Sequence, residues 1–246
     1  ETDVPVHQAY INQIVASTGI TVKAKSKWFN SVHVRGTQAD IQALSTLSFV
    51  NSINFANSDL NARQIQPKDL KINKVNKQLE ELTNYNYGNS ANQVEMLNGH
   101  LLHQQNYTGQ GKIIAVLDSG FIGVDTALPF QNLMTNNQIL GGYNFPDGNT
   151  NYFSRHNHGT SVLSCMGGFV DGQLVGTAPD AQYYLFITED INEENPVEES
   201  YWVEGAELAD YYGADVINSS LGYFGYDNPA YSYTYNDMNG TTAFAS

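Results

Sequence analysis

Gly111-Lys112-Ile113-Ile114-Ala115-Val116-Leu117-Asp118-Ser119-Gly120 decides how this chain is read. Five successive apolar residues, Ile113 to Leu117, run without alternation into an acid, a hydroxyl residue and a glycine. A strand buried on both faces reads this way, because helices cover both sides of a parallel sheet. The expected fold class is therefore α/β, built on a parallel sheet. In open sheets of this kind, ligands and reacting groups gather just beyond the carboxyl ends of the strands. Asp118 stands at that edge.

Working outward, the next informative stretch is His156-Asn157-His158-Gly159-Thr160-Ser161, which opens a small-residue helix running through Cys165 to Gly168. Gly176-Thr177-Ala178-Pro179-Asp180-Ala181 reads as a turn before a strand over residues 182–188. A helix is expected over 201–213, with Val203, Ala206, Ala209 and Tyr212 inward and Gly213 as its cap. A strand over 215–221 then closes a βαβ unit, ending in Ser220-Leu221-Gly222. Upstream, Val94, Leu97, Leu101 and Leu102 predict one amphipathic helix.

Asp118-Ser119-Gly120, His158-Gly159-Thr160, Gly176-Thr177-Ala178-Pro179 and Ser220-Leu221-Gly222, in that order and on strand ends, resemble the subtilisin-like serine proteases, the subtilase family. The resemblance covers roughly residues 92–225. It implies an Asp-His-Ser triad in which Asp118 orients and His158 serves as acid and base. It also implies that Ser220, Leu221 and Gly222 form an edge that pairs with extended peptide substrate. The family's nucleophile motif, Gly-Thr-Ser-x-Ala, does not occur before Ser246. The chain is therefore expected to be the N-terminal portion of a secreted serine endopeptidase proform that has been nicked. Its catalytic domain is expected to be incomplete, and the chain inactive alone. The expected partner is the C-terminal remainder of the same precursor, carrying the serine; the other partners are peptide or protein substrates. The rival reading is a non-catalytic binding or inhibitory protein derived from the same fold.

Residues 1–56 read as a small α+β unit. A helix carries Val6, Tyr10, Ile11, Ile14 and Val15 and stops at Gly19. Two strands follow, Ile20 to Lys25 and Ser31 to Val34, and then a second helix with Thr37 as N-cap and Asp40 three residues on. Val50 to Phe55 is expected as a last strand. This order resembles the inhibitory prodomain of subtilases. Residues 57–91 are polar and are read as a linker with the processing site, leaving 92–246 as the first part of the catalytic domain.

Charge divides the same way. Residues 1–77 hold nine Lys/Arg and five acids, a net of +4; the remainder holds two and twenty, a net of −18. Together these give −14. Unlike fields speed and orient docking, and so strongly acidic a body argues against nucleic acid as partner. No run of 18 apolar residues occurs, so no membrane span is expected.

Other motifs carry less. His156 and His158 lack a third ligand and a common strand, so no metal site is read there. Thr108-Gly109-Gln110-Gly111-Lys112 precedes a strand rather than a helix and is not a phosphate loop. Cys165 is expected as a small core residue. The resemblance implies no cofactor for the chemistry and allows a structural calcium ion. Glu189, Asp190, Glu193 and Glu194 nevertheless lack the periodic spacing of a calcium loop and read as a solvated acidic loop. Tyr223, Phe224, Tyr226, Tyr231, Tyr233 and Tyr235 form an aromatic-rich stretch whose role, pocket wall or packed loop, stays open.

Overall fold

The computed structural model describes residues 4–57, 60–61 and 84–233. The chain divides into two compact units: one of residues 1–67, 190–208 and 221–246, the other of 68–189 and 209–220.

The first unit opens with helix α1 (Gln8–Val15). Strands β1 (Thr21–Ser26) and β2 (Ser31–Arg35) pair antiparallel into a hairpin. Helix α2 (Gln38–Ala43) follows, and the Thr37 hydroxyl accepts the Asp40 N–H at 3.2 Å, as an N-cap should. Ile11, Ile14, Ala24 and Leu44 are buried, and Tyr10 stacks on Phe49 at 4.2 Å. The expected strand at 50–55 does not form. The amide of Asn61 occupies the place of a neighbouring strand, its Oδ1 accepting the Phe55 N–H at 2.5 Å and its Nδ2 donating to the Phe55 carbonyl at 2.6 Å.

The second unit begins in described residues with Tyr85 to Ser90, which are bound to the 172–175 segment. Gly172 N–H donates to Asn86 O at 2.9 Å, and Asn89 N–H donates to Gln173 O at 2.8 Å. The single helix expected from Val94 to Leu102 is two short ones, α3 (Ala91–Met96) and α4 (Gly99–His103), broken at Asn98 with φ +58°. Leu97, Leu101 and Leu102 are exposed; Val94 and His103 are the buried residues. His103 lies between the Tyr87 hydroxyl at 2.7 Å and the Thr177 carbonyl at 2.9 Å.

The sheet then forms as read. Strand β3 (Ile113–Asp118) is flanked in parallel by β7 (Gln182–Ile187) and β8 (Val216–Ser219). Strand β4 (Ile139–Asn144), which the sequence reading missed, adds parallel to β7, giving the order β4-β7-β3-β8. Its glycines hide it, but Gly142 is a packing requirement: a Cβ there would lie 2.0 Å from the Leu185 carbonyl and 2.8 Å from the Tyr152 ring. The core gathers Val116, Phe121, Phe130, Leu133, Leu163, Tyr183, Leu185 and Ile187. Helix α5 (Gln131–Thr135), helix α6 (His158–Gly167) and the small β5–β6 hairpin (Phe169–Val170 with Leu174–Val175) complete this unit apart from its last helical turn.

Helix α7 (Val197–Tyr211) starts earlier than expected and belongs to the first unit up to residue 208. Ala206 and Ala209 are buried as expected, whereas Tyr212 is 42% exposed and stacks on Tyr184 at 4.8 Å. Within the first unit, the Glu207 carboxylate receives the hairpin turn. Lys27 and Trp28 N–H groups each donate to it at 3.0 Å, and the Ser26 hydroxyl donates as well. His33 Nδ1 meets the Ser200 hydroxyl at 2.7 Å. Arg35 pairs with Glu193 at 3.4 Å, both well exposed. Arg35–Glu193 is thus a surface ion pair, and a carboxylate receiving backbone N–H groups makes the deeper contact.

Candidate active site

Strand β3 delivers Asp118 to the carboxyl edge of the sheet, where it is fully buried. Thr188 N–H donates to the Asp118 carbonyl at 3.0 Å, extending the parallel ladder one step and fixing the backbone there. The carboxylate is oriented by the next residue: Ser119 N–H donates to Oδ1 at 2.7 Å and its hydroxyl at 3.2 Å. Sequence reasoning quoted Ser119 in its motif without giving it a role. A hydroxyl directly after a buried acid was the available signal.

Helix α6 begins at His158, and two glycines let it sit on the strand end. A Cβ on Gly120, whose φ is +155°, would lie 2.2 Å from His156 N. A Cβ on Gly159 would lie 2.6 Å from the Gly120 carbonyl and 2.9 Å from the Asp118 Cβ. The Thr160 hydroxyl ties the first turn down by donating to the Ile122 carbonyl at 2.9 Å. His158 Nδ1 thereby comes 2.8 Å from Asp118 Oδ1. An ionised carboxylate only accepts, so Nδ1 carries the proton and Nε2 is left as the basic nitrogen. The His158 side chain is 46% exposed and that of Asp118 is fully buried. The carboxylate is thus shielded while the imidazole faces outward.

The other expectations sort as follows. His156 Nδ1 accepts the His158 backbone N–H at 3.3 Å, so it serves the start of the helix. Cys165 is exposed rather than buried. At seven residues past His158 it shares that outward face, while Gly159, Leu163 and Gly167 make the buried one. Strand β8 ends at Ser219, shorter than expected, and is the last strand in the sheet order. Ser220 follows it with its hydroxyl 3.4 Å from Asn218 Oδ1; Leu221 and Gly222 continue without regular structure.

The aromatic stretch is a packed loop in its described part. Tyr226 N–H donates to the Ser232 hydroxyl at 2.9 Å, Tyr233 N–H donates to Phe224 O at 2.8 Å, and the Tyr226 hydroxyl bonds Glu199. Burial and the Glu199 charge push that hydroxyl well above the usual tyrosine range. Tyr235 lies outside the described residues.

Three carboxylates of the acidic segment meet protein partners. Asp190 accepts from Asn192 N–H at 3.3 Å, Glu198 accepts from Asp190 N–H at 2.7 Å, and Glu193 pairs with Arg35. Glu194 and Glu198 carboxylates approach within 4.8 Å. Among the described residues no helix is long and apolar enough to cross a membrane.

Residues 1–92 match a family model described as the peptidase S8 propeptide domain of Bacteroidota. The chain is 30% identical over 131 residues to subtilisin E of Bacillus subtilis, covering 52% of this chain and 32% of that protein. It is equally similar to the subtilisin of Bacillus pumilus, covering 44% of it. The chain thus spans a third to under half of the length of these relatives. Among solved structures, fervidolysin of Fervidobacterium pennivorans, a keratinolytic enzyme related to subtilisin, shares the fold with a TM-score of 0.53 at 19% identity, over 92% of this chain and 36% of that one. With residues 109–244 matching the subtilase family model across the strand that carries Asp118 and the helix that carries His158, the chain belongs to the subtilase family.

Proposed function

We propose that the protein is a secreted serine endopeptidase whose Asp118 and His158 are two members of an Asp-His-Ser triad. The observation that carries this reading is the 2.8 Å hydrogen bond from His158 Nδ1 to a fully buried carboxylate at a sheet edge. A serine on the remainder of the precursor, C-terminal to this chain, supplies the nucleophile. Its Oγ attacks the carbonyl carbon of the peptide while His158 Nε2 takes the hydroxyl proton. The C–N bond breaks and His158 returns that proton to the departing amine. Water then attacks the acyl ester, giving one proton to His158, which passes it back to the serine oxygen. Asp118 stays ionised throughout and stabilises the imidazolium. Side chains and water suffice for these steps.

Ser220, Leu221 and Gly222 are the proposed substrate edge, where backbone pairing would hold extended peptide. Residues 1–56 act as an inhibitory prodomain on this reading, supported by the propeptide-domain match. The test is covalent labelling of the complete protein by a fluorophosphonate, which reacts with an activated serine. Labelling and peptide hydrolysis are both expected to vanish in His158→Ala. Hydrolysis that survives this change overturns the triad reading, and a complete protein with no labelled serine favours a non-catalytic binding protein.

A further inference from the structure

Arg155 is the starting observation. Five non-glycine residues among those described have positive φ: Asn30, Asn98, Asn106, Asn137 and Arg155. Asparagine visits this region readily because its short amide bonds locally. Arginine has no such means, so the surroundings must hold Arg155 at its φ of +61°. Strain of this kind concentrates where function demands a fixed geometry.

What holds it can be followed atom by atom. Arg155 Nε donates to Asp147 Oδ2 at 3.1 Å and Nη2 donates to Oδ1 at 2.6 Å, a two-pronged contact. That contact holds the Asp147 carboxyl below the usual carboxylate range. Asp147 is joined in turn to Asn144. Asn144 Nδ2 donates to Asp147 Oδ2 at 2.8 Å, and Asp147 N–H donates to Asn144 Oδ1 at 3.1 Å. Asn144 is fully buried and is the last residue of β4, in register with Ile187 of β7. A rigid line therefore runs from the sheet through Asn144 and Asp147 to Arg155.

The far side of Arg155 leads to His158. Arg155 bridges Gly120, Phe121 N–H donates to Ser154 O at 3.0 Å, and His156 N–H approaches Ser119 O at 3.4 Å. The segment that enters α6 is thus laid against the residues that follow Asp118. A rotation at Arg155 would turn His156 away from Ser119 and swing His158 off Asp118.

We propose that Asn144, Asp147 and Arg155 are positioning residues, setting the entry of the chain into α6 and so holding the His158 imidazole on Asp118. This rests on the reading of His158 as the acid–base residue. None of the three touches the reacting atoms. They act through backbone direction, and a displacement of about 1 Å can cost about 100-fold in rate.

The experiment uses the complete, serine-bearing protein. Asp147→Ala and Arg155→Ala are each expected to lower kcat about 10- to 100-fold per folded molecule, with KM within about twofold. The double variant should be no worse than the weaker single one, because the residues act as one unit. Arg155→Gly accepts the positive φ without the guanidinium and should fall with Arg155→Ala; Arg155→Lys should recover part of the loss. Asp147→Asn serves if the alanine variant does not fold.

A merely structural role would leave the downfield proton NMR resonance of His158 Nδ1–H unchanged in the folded fraction; here it should broaden or vanish. If kcat stays within about twofold in Asp147→Ala and Arg155→Gly with that resonance intact, the inference is overturned. Hydrolysis surviving in His158→Ala would instead overturn the reading beneath it.

Discussion

Asp118 and Glu207 are both buried carboxylates that receive a neighbouring segment, and they are used in opposite ways. Glu207 spends both oxygens: Oε1 on the Ser26 hydroxyl and Trp28 N–H, Oε2 on Lys27 N–H. Asp118 directs all its described contacts to Oδ1, from Ser119 and His158, and its buried Oδ2 has no partner in the described protein. A saturated carboxylate holds a turn still. One that keeps acceptor capacity beside an exposed imidazole can take up the charge that forms on it. The comparison separates a docking contact from a chemical one, although both rest on the same functional group.

The largest effect should come from breaking the chemical side. Asp118→Asn keeps the volume, removes the charge and replaces one acceptor oxygen by an NH2 donor, and should lower kcat of the complete protein by about 10⁴-fold, with the melting temperature little changed. A loss under tenfold would place Asp118 outside the chemistry.

The docking side should respond in stability rather than in rate. Glu207→Ala leaves the Lys27 and Trp28 N–H groups without their acceptor, a loss of about 1–3 kcal/mol. Hydrogen exchange at those two amides should speed by roughly 10- to 100-fold, following the usual tenfold per 1.4 kcal/mol. Unchanged protection would show that the hairpin is held elsewhere.

A pH effect of intermediate size is expected at the same contact. Burial pushes Glu204 up to about 7, and Glu207 adds to the rise against the opposing charge and backbone N–H of Lys25. The raised value means the docked state prefers the protonated acid. Its contribution is therefore complete below the ordinary 4.5 and is lost as pH rises through about 7. His33 works in the other sense. Burial, then Arg35 and Lys23, hold it below the ordinary 6.5, so its contribution is present above 6.5 and lost as pH falls through its lowered value. Hairpin protection, corrected for intrinsic exchange rate, should decline from pH 6 to pH 8, and Glu204→Gln should remove that decline. A flat profile in the unaltered protein would contradict this assignment.

The smallest effect belongs to the exposed pair Arg35–Glu193. Pairs of this kind contribute little and are screened by salt. Arg35→Ala should alter hairpin exchange by less than about twofold, and added salt should do no more. A large salt effect would return the +4 and −18 charge division to the centre of the docking contact.

Much of the candidate site was legible in the residues themselves. Ile113 to Leu117 read as a doubly buried strand with Asp118 at its end, and β3 forms there. Gly159 and Gly120 were visible as motif letters, but their meaning, the 2.6 Å and 2.2 Å approaches that exclude a side chain, belongs to the packed structure. Strand β4 was hidden because Gly141, Gly142 and Asn144 are poor strand formers, and only pairing with β7 makes them one. The single helix read through Val94 to Leu102 failed at Asn98-Gly99, where a local turn outweighed apolar spacing.

The sequence by itself determined the α/β class, the strand that carries Asp118, the helix that begins at His158 and the hydroxyl cap at Thr37, because each follows from burial patterning or a hydrogen bond between residues close in the chain. Only the tertiary structure decided that His158 Nδ1 meets Asp118, that Glu207 closes on the turn at Lys27, and that Arg155 is locked through Asp147 to Asn144. The first two join residues 40 and 180 positions apart and the third closes over 8 and then 3, and no local preference encodes which acid will stand opposite which donor.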